Sequence, residues 1–331
     1  WGGDGGGRIS INASQTVIMN GTITANGGES GGSAAGDGSG GSILIHTSEL
    51  SGNGNISANG GGNGNGVGGG GGRVAVYADQ IDQVSNLNNL YNITAFGGRG
   101  YSGFEDRKSS AGTVYMKYIG GEDHLYIDNN MVDVNGDPNS TSAESTPLPP
   151  IGFGTTANAT LDTITTDGLT AILPGGLAGL RINPDISQSE TFVIFSNTAN
   201  TIIVETPNEN GANFSDIAGV GKTYAGVYKF DNVIFRRGGN LIMGDLLTVN
   251  NTMNISEYGM LTHYDATTSF TSRLDLTAGS LNIDPTGRID VTGRGYIGGR
   301  GSYEQGRTLG NVYGSSGGAG GGYGGPGGAY S

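Results

Sequence analysis

Apolar and polar residues alternate in short runs, and each run directly follows a cluster of glycine. The segments Gly5–Ile11, Gly40–Ile45 and Gly70–Val76 read GGGRISI, GGSILI and GGGRVAV, and Ala111–Tyr118 is a weaker fourth copy. Alternation with a period of two places successive side chains on opposite faces of an extended chain, as in half-buried β-strands. The pattern therefore predicts four equivalent strands.

A second motif lies between the copies of the first. Gly21–Gly28, Gly54–Gly61 and Tyr91–Gly98 read GTITANGG, GNISANGG and YNITAFGG. Each repeat is thus a strand, a turn, a second strand and a glycine-rich loop. A unit this short cannot bury its own apolar face, whereas stacked copies can. We therefore predict an all-β fold, a parallel β-helix or β-solenoid-like stack with polyglycine-type loops and a β-rich middle region.

Glycine makes up 67 of the 331 residues, yet it follows no strict three-residue period. Collagen requires that period, so a collagen helix is excluded. The regular alternation of apolar residues also excludes a wholly disordered chain. We expect glycine in the loops because stacked arcs approach one another closely, and because they need φ values that other residues resist.

The amino-acid composition changes twice along the chain, which predicts three regions. Residues 1–118 hold glycine-rich β-solenoid repeats, residues 119–270 form a β region rich in Thr and Asn, and residues 271–331 return from strands to glycine-rich repeats. The β-rich runs of the middle region are Thr191–Asn197, Thr201–Asn208 and Tyr228–Arg237. In the last region, three short strands are predicted at Leu274/Leu276, Leu281/Ile283 and Ile289/Val291.

The charge balance is acidic, with 16 Lys and Arg against 29 Asp and Glu and a net charge of −13. This balance argues against nucleic acid and against anionic membrane surfaces as partners. The chain has no Cys, and no apolar run approaches the ~18 residues of a membrane span. We therefore predict no disulfide, no thiolate metal site and no membrane insertion. The chain begins at Trp1 rather than Met, so we interpret it as a piece of something longer.

The sequence offers no convincing catalytic group. Its three histidines, His46, His124 and His263, lie far apart and have no carboxylate or Ser at a spacing typical of catalysis. No pair of acids with a basic partner suggests a lyase or a hydrolase. We expect no catalytic residue, no bound cofactor and no enzymatic activity.

One acidic segment, DVNGDPNSTSAE at Asp133–Glu144, partly matches the ligand spacing of a calcium loop. Oxygen ligands fall at positions 1, 3, 5, 9 and 12, which are Asp133, Asn135, Asp137, Thr141 and Glu144. Position 6, where a sharp turn needs Gly, is Pro138, whose ring fixes φ near −65°. The segment is therefore a candidate calcium site that reads equally well as a plain turn.

Two segments near the end of the chain point to a family. Ile289–Gly299 reads IDVTGRGYIGG and residues 317–328 read GGAGGGYGGPGG. Together with the repeats of residues 1–118, they resemble the glycine-rich repeat of giant secreted bacterial surface proteins of the adhesin-like kind. The resemblance covers residues 1–118 and 273–331, and the middle third matches only in general composition. It implies a β-solenoid with a structural or adhesive role, secreted to the cell surface or beyond it.

Two functional hypotheses follow. The first is a non-enzymatic extracellular structural protein, a repeat subunit of a cell-surface fibre that assembles head to tail with itself, because an uncapped β-stack exposes strand edges that template further pairing. The alternative is a carbohydrate-binding or polysaccharide-cleaving β-helix protein with extracellular polysaccharide as its partner. Aromatic and carboxylate ladders often serve such binding, and the chain has 15 Tyr. This alternative rests on fold analogy.

Overall fold

The prediction of an all-β protein is confirmed. The computed structural model describes residues 1–32, 35–62, 67–81, 92–100, 109–118, 121–130, 145–148, 150–168, 172–268, 271–299, 305–315 and 320–322. Across these residues the chain forms β-strands and a short 3-10 turn at Phe214–Asp216, with no α-helix.

The strands follow one another in this order: β1 (Arg8–Asn12), β2 (Thr16–Ile18), β3 (Thr22–Thr24), β4 (Ser42–Ser51), β5 (Asn55–Ser57), β6 (Arg73–Ile81), β7 (Ile93–Thr94), β8 (Thr113–Tyr118), β9 (Asp123–Asp128), β10 (Thr146–Pro147), β11 (Phe153–Ala159), β12 (Thr163–Thr166), β13 (Arg181–Asn183), β14 (Phe192–Asn197), β15 (Thr201–Val204), β16 (Thr223–Arg236), β17 (Asn240–Met243), β18 (Leu246–Ile255), β19 (Met260–His263), β20 (Leu276–Ile283), β21 (Arg288–Ile289), β22 (Gly306–Thr308) and β23 (Val312–Ser315).

The first stack consists of two parallel sheets whose strands alternate along the chain. One sheet holds β1, β4, β6 and β8, and the other holds β3, β5 and β7. The register aligns Ile9, Ile43, Val74 and Val114 in one row across the first sheet. Because alternate residues face inward, such rows meet the side chains of the second sheet. They form the first core, which includes Ile43, Ile45, Leu50, Ile56, Val74, Val76, Ile93, Val114 and Met116.

The strand direction reverses between β8 and β9, which pair antiparallel. The core changes sides of the sheet at the same point. Val114 and Met116 of β8 lie in the first core, whereas Leu125 and Ile127 of β9 lie in a second core. Tyr115 pairs with Leu125 and packs against the second core as well. The second core therefore lies on the opposite face of the same continuous sheet.

The second stack repeats the arrangement of the first in the reversed direction. Strands β9, β16, β18 and β20 pair in parallel and in chain order, and they extend the sheet that β8 ends. A separate parallel sheet holds β10, β17, β19 and β21. The second core lies between the two sheets and includes Leu125, Ile127, Val233, Phe235, Leu241, Met243, Leu247, Val249, Met253, Ile255 and Leu261.

A buried carboxylate holds β9 to β16 at this junction. Asp128 accepts hydrogen bonds from the Nε of Arg236 at 2.6 Å and from the Nε of Arg237 at 2.8 Å. The guanidinium of Arg237 also lies over the ring of Phe96, which belongs to the first stack. The two adjacent arginines thus neutralise one carboxylate and join the stacks.

An antiparallel unit projects from the second stack. Strands β11 to β15 pair antiparallel with one another and with the first half of β16, around a third core that includes Ile164, Ile182, Phe192, Ile202, Phe214 and Tyr224. The segment leading into this unit is held by Asp245, which is only 1% exposed. The carboxylate accepts the N–H groups of Ile151 at 2.8 Å and Gly152 at 2.7 Å.

The three short strands predicted at the C-terminal end differ from those observed. Leu276 and the pair Leu281/Ile283 belong to one strand, β20, which passes through Gly279 without a break. Leu274 and Val291 lie outside strands. Pairing with the long strand β18 keeps the backbone extended across Gly279. The alternation of apolar residues does not indicate which strand pairs with this segment.

Asp245 makes the stability of the fold depend on pH. Burial raises its pKa from 3.8 to about 6, against the opposing effect of the two backbone hydrogen bonds. A folded-state pKa above the unfolded value stabilises the fold fully below the unfolded pKa. That contribution is lost as the pH rises through the folded pKa.

We therefore predict that the unfolding free energy of the native protein, relative to that of Asp245→Asn, falls as the pH rises from about 4 to about 7. The slope should not exceed about 1.4 kcal/mol per pH unit, the value for one proton. Denaturant titrations of both proteins across this range measure the difference, in which the other titrating groups cancel. A difference that does not change with pH would contradict the prediction.

Candidate functional site

The glycine-rich loops of the first stack form a defined structure, the glycine lattice. It has two sets of extended arcs, leading arcs that precede β1, β4, β6 and β8 and trailing arcs that follow β3, β5 and β7. The leading arcs are residues 3–7, 36–41, 67–72 and 109–112, and the trailing arcs are residues 25–28, 58–61 and 95–98.

Backbone hydrogen bonds connect the two sets in alternation. Gly38 donates its N–H to the Gly28 carbonyl, Gly61 donates to Gly38, and Gly69 donates to Gly61, each at 2.9 Å. Gly98 then donates to Gly69 at 2.8 Å. A column of backbone groups thus runs along the stack and crosses between leading and trailing arcs at every step.

Other groups of the same arcs bond along each set. Gly40 donates to the carbonyl of Gly70 at 2.8 Å, and Gly71 donates to that of Ser110 at 2.9 Å. Successive residues of one arc therefore donate hydrogen bonds to different neighbouring arcs. The arcs satisfy their backbone polar groups through each other, as buried backbone requires.

Glycine is needed here because a side chain would overlap the neighbouring backbone. A methyl group added to Gly41, Gly69 or Gly72 would lie inside the 3.0 Å that real Cβ atoms keep from other atoms. In each case the obstructing atoms are backbone atoms of the preceding leading arc. Backbone cannot rotate away as the end of a flexible side chain can, so the whole layer would have to move.

The expectation that these loops need unusual φ values is wrong for the lattice. None of its described glycines has a φ in the left-handed region. Glycines with positive φ lie in turns elsewhere, such as Gly52 at 105° and Gly238 at 73°. Close approach of backbones is therefore the reason for glycine in the lattice.

The first layer of the lattice has one open side. Gly7 corresponds in register to Gly41 and Gly72, which both meet the layer beneath them. A methyl group on Gly7 would meet nothing within 4 Å. Ile9 and Ile11, which begin the apolar rows of the first core, are only partly buried on this side.

The last layer of the second stack is open in the same way. Leu281 is 43% exposed and Ile283 is 46% exposed, although they lie in register with the buried Met253 and Ile255 of β18. Close glycine packing recurs beside this layer, where a methyl group on Gly321 would overlap the backbone of Tyr296. The two ends of the described structure therefore share unfinished apolar rows.

The predicted calcium ligands Asp133, Asn135, Asp137, Thr141 and Glu144 lie outside the described residues. Within the part that the structure describes, no group of three His, Asp or Glu side chains could hold a metal ion. No helix there is long and apolar enough to cross a membrane. The calcium site therefore stays a prediction.

The three histidines take separate structural positions. His46 stacks on Tyr77 with ring centroids 4.6 Å apart, and His263 is nearly buried with its Nδ1 2.7 Å from the Tyr264 carbonyl oxygen. His124 lies on β9 in register with Met116. The structure does not bring them together.

Neither a protein-family model, nor a curated protein, nor a solved structure matches this chain significantly.

Reasoning from the sequence located the lattice but missed which glycines are essential. The signal was present, because Gly7, Gly41, Gly72 and Gly112 each directly precede a strand of the repeat. Because side-chain direction alternates along an extended chain, glycines one residue before equivalent strands would all point a Cβ in the same direction. Counting glycines in the loops could not separate these positions from tolerant neighbours such as Gly70.

We predict that Gly69→Ala and Gly70→Ala differ sharply, although the residues are adjacent. A methyl group on Gly69 meets the backbone of Gly38, whereas one on Gly70 lies 3.3 Å from the Oγ of Ser110, which can rotate. Gly69→Ala should lower the unfolding free energy by up to about 3 kcal/mol, as overpacking does. Gly70→Ala should change it by less than about 1 kcal/mol.

Thermal and denaturant unfolding of the two variants measure this difference. Gly7→Ala is a second control, because it occupies the same register column as Gly72 in the open layer. Equal losses for Gly69→Ala and Gly70→Ala would show that the arcs are ordinary loops.

Proposed function

We propose that this chain is a non-enzymatic structural protein of the β-solenoid kind, which assembles end to end with further copies of itself in a fibre at the cell surface. The observation that carries the proposal is the open first layer, where Gly7 has no steric neighbour although its counterparts in the stack require glycine. A docked layer beneath Gly7 would give that glycine the same function as Gly41 and Gly72.

The coiled arrangement supports the solenoid part of the proposal. Two parallel sheets share each core, their strands alternate along the chain, and corresponding residues align from layer to layer. Stacks of this kind add layers through contacts with the adjacent layer only, so stability grows as layers are added. A further copy adds layers in the same way as a further repeat.

The two open ends fit each other through one rotation. Strand β20 runs opposite to β1, and its core lies on the opposite face of the shared sheet. A half-turn of the next copy about the stacking axis makes its β1 parallel to β20. The same half-turn brings its first core onto the side of the second core, so direction and core are matched together.

Charge does not oppose this contact. Residues 1–31 contain two acidic residues and one basic residue, and residues 273–299 contain three of each. The acidic surplus of the chain thus lies elsewhere, and a head-to-tail contact does not bring two strongly negative surfaces together. Asp4 interrupts one glycine column, so a docked layer must leave room at that position.

We predict that Ser10→Pro blocks assembly and leaves the fold intact. The N–H of Ala13 donates to the His46 carbonyl, and the Gly7 carbonyl accepts the N–H of Ser42. The backbone groups of odd-numbered residues of β1 therefore point toward β4, and those of even-numbered residues, including the N–H of Ser10, point away from it. The side chain of Ser10 is exposed. Proline is tolerated on an edge strand where the N–H faces outward, and there it removes the donor that the next copy would use.

Electron microscopy and sedimentation of the native chain, Ser10→Pro and the matched control Ser10→Ala provide the test. The native chain and Ser10→Ala should form filaments whose successive subunits differ by about a half-turn. Ser10→Pro should remain monomeric with an unchanged melting temperature. A native chain that stays monomeric at high concentration would contradict assembly of separate copies and assign the open layer to continuous repeats of a longer chain.

A further inference from the structure

The reversal of the stack creates a long groove beside the second core. The face of β6 and β8 that points away from the first core continues directly into the face of β9 and β16 that covers the second core. The loop before β13 and the strand β14 form the wall opposite this continuous face. The groove between the wall and the face has a volume of about 750 Å³. Such a volume lies in the range of ligand-binding pockets.

Aromatic side chains form the floor of the groove. Tyr77 of β6, Tyr115 of β8 and Phe230 of β16 lie in a row, with ring centroids separated by 5.6 Å and 6.1 Å. All three are only partly buried. The groove crosses the strands from β6 to β18, and at about 4.8 Å per strand it is roughly 19 Å long. A row of aromatic rings suits a linear polymer whose units each have one flat apolar face and polar edges.

Positive charge is concentrated along the same groove. Arg73, Lys117, Arg181 and Lys229 line it, which is four of the 16 basic residues of an acidic chain. Arg181 and Lys229 share the carboxylate of Glu209, at 2.6 Å and 3.6 Å. Among the described residues, Arg73 and Lys117 have no ion-pair partner. Either cation can therefore form an ion pair with an anionic ligand, although Lys117 already interacts electrostatically with Asp231.

The carboxylates of the groove are already engaged. Asp123 and Asp231 accept each other's backbone N–H, at 2.7 Å and 2.9 Å. The remaining oxygen of Asp123 accepts the hydroxyl of Tyr115, and that of Asp231 accepts the amide of Asn250. All four oxygens thus accept at least one hydrogen bond, which holds the pair in place at the floor of the groove.

We propose that this groove binds an acidic polysaccharide, with its sugar rings on the aromatic row and its carboxylates paired with Arg73 and Lys117. The apolar faces of sugar rings pack on aromatic side chains, and guanidinium and ammonium groups bind carboxylates through charge-assisted hydrogen bonds. Two available cations over this length suit the spaced charges of a uronate polymer better than the dense phosphates of nucleic acid. The proposal does not depend on end-to-end assembly.

The test is calorimetric titration of the full chain with oligogalacturonate, with a neutral galactose oligomer and with polyphosphate. The native protein should bind oligogalacturonate, and it should bind the other two at least tenfold more weakly. Arg73→Gln combined with Lys117→Gln should weaken oligogalacturonate binding at least tenfold. Tyr77→Ala should do the same, whereas Tyr77→Phe should bind normally.

Arg8→Gln is the matched control. Arg8 and Arg73 both follow three glycines, begin equivalent strands and align in register through Ser42, but Arg8 lies outside the groove. Its substitution should leave binding unchanged. Arg8→Gln, Tyr77→Phe and the combined Arg73→Gln and Lys117→Gln variant should keep the native melting temperature, whereas Tyr77→Ala removes the ring that stacks on His46 and should melt at a lower temperature. The assembly variant Ser10→Pro should also bind normally, which separates this proposal from the previous one.

Three results would overturn the proposal. The first is the absence of oligogalacturonate binding by the native protein. The second is equally tight binding of polyphosphate or of the neutral oligomer, which would indicate a general polyanion site or a neutral glycan site. The third is an equal loss of binding in Arg8→Gln.

Discussion

The first stack depends on the close approach of backbone to backbone in the glycine lattice. Leading and trailing arcs exchange hydrogen bonds of 2.6 to 2.9 Å across the stack, which is possible only where no Cβ separates the chains. This contact explains how a chain with 34% hydrophobic residues forms an ordered stack. The side-chain core consists of a few aligned rows of apolar residues, and the arcs beside it are held by the backbone itself.

The antiparallel pairing of β8 and β9 gives the protein its second distinctive property. The strand direction reverses there, and the core changes faces of the sheet at the same point. The second stack is therefore related to the first by a half-turn. The step between the two cores also leaves the aromatic row of Tyr77, Tyr115 and Phe230 partly uncovered, so one hairpin generates both the groove and the geometry of the ends.

Alternation in the sequence was sufficient to predict the all-β fold and seven of the strands of residues 1–118, but it did not predict β2. Six of those seven strands directly follow glycine and all contribute to one core, so their pattern is local. Alternation failed where a strand has two environments. In β16, Tyr228 and Phe230 and then Val233 and Phe235 face the second core, because an irregularity near Asp231 shifts the phase. The predicted calcium ligands at Asp133–Glu144 were not tested, since they lie outside the described residues.

For the first stack, the sequence by itself determined seven of the strands, their equivalence from repeat to repeat, and the loops where glycine permits close packing. These properties follow from periodicity and from the size of a side chain. Only the tertiary structure decided which glycines are essential, where the stack reverses, and that Arg73, Lys117 and the aromatic row share one groove. These depend on contacts between residues tens of positions apart. No local pattern encodes the direction of a partner strand or the face on which the next core lies.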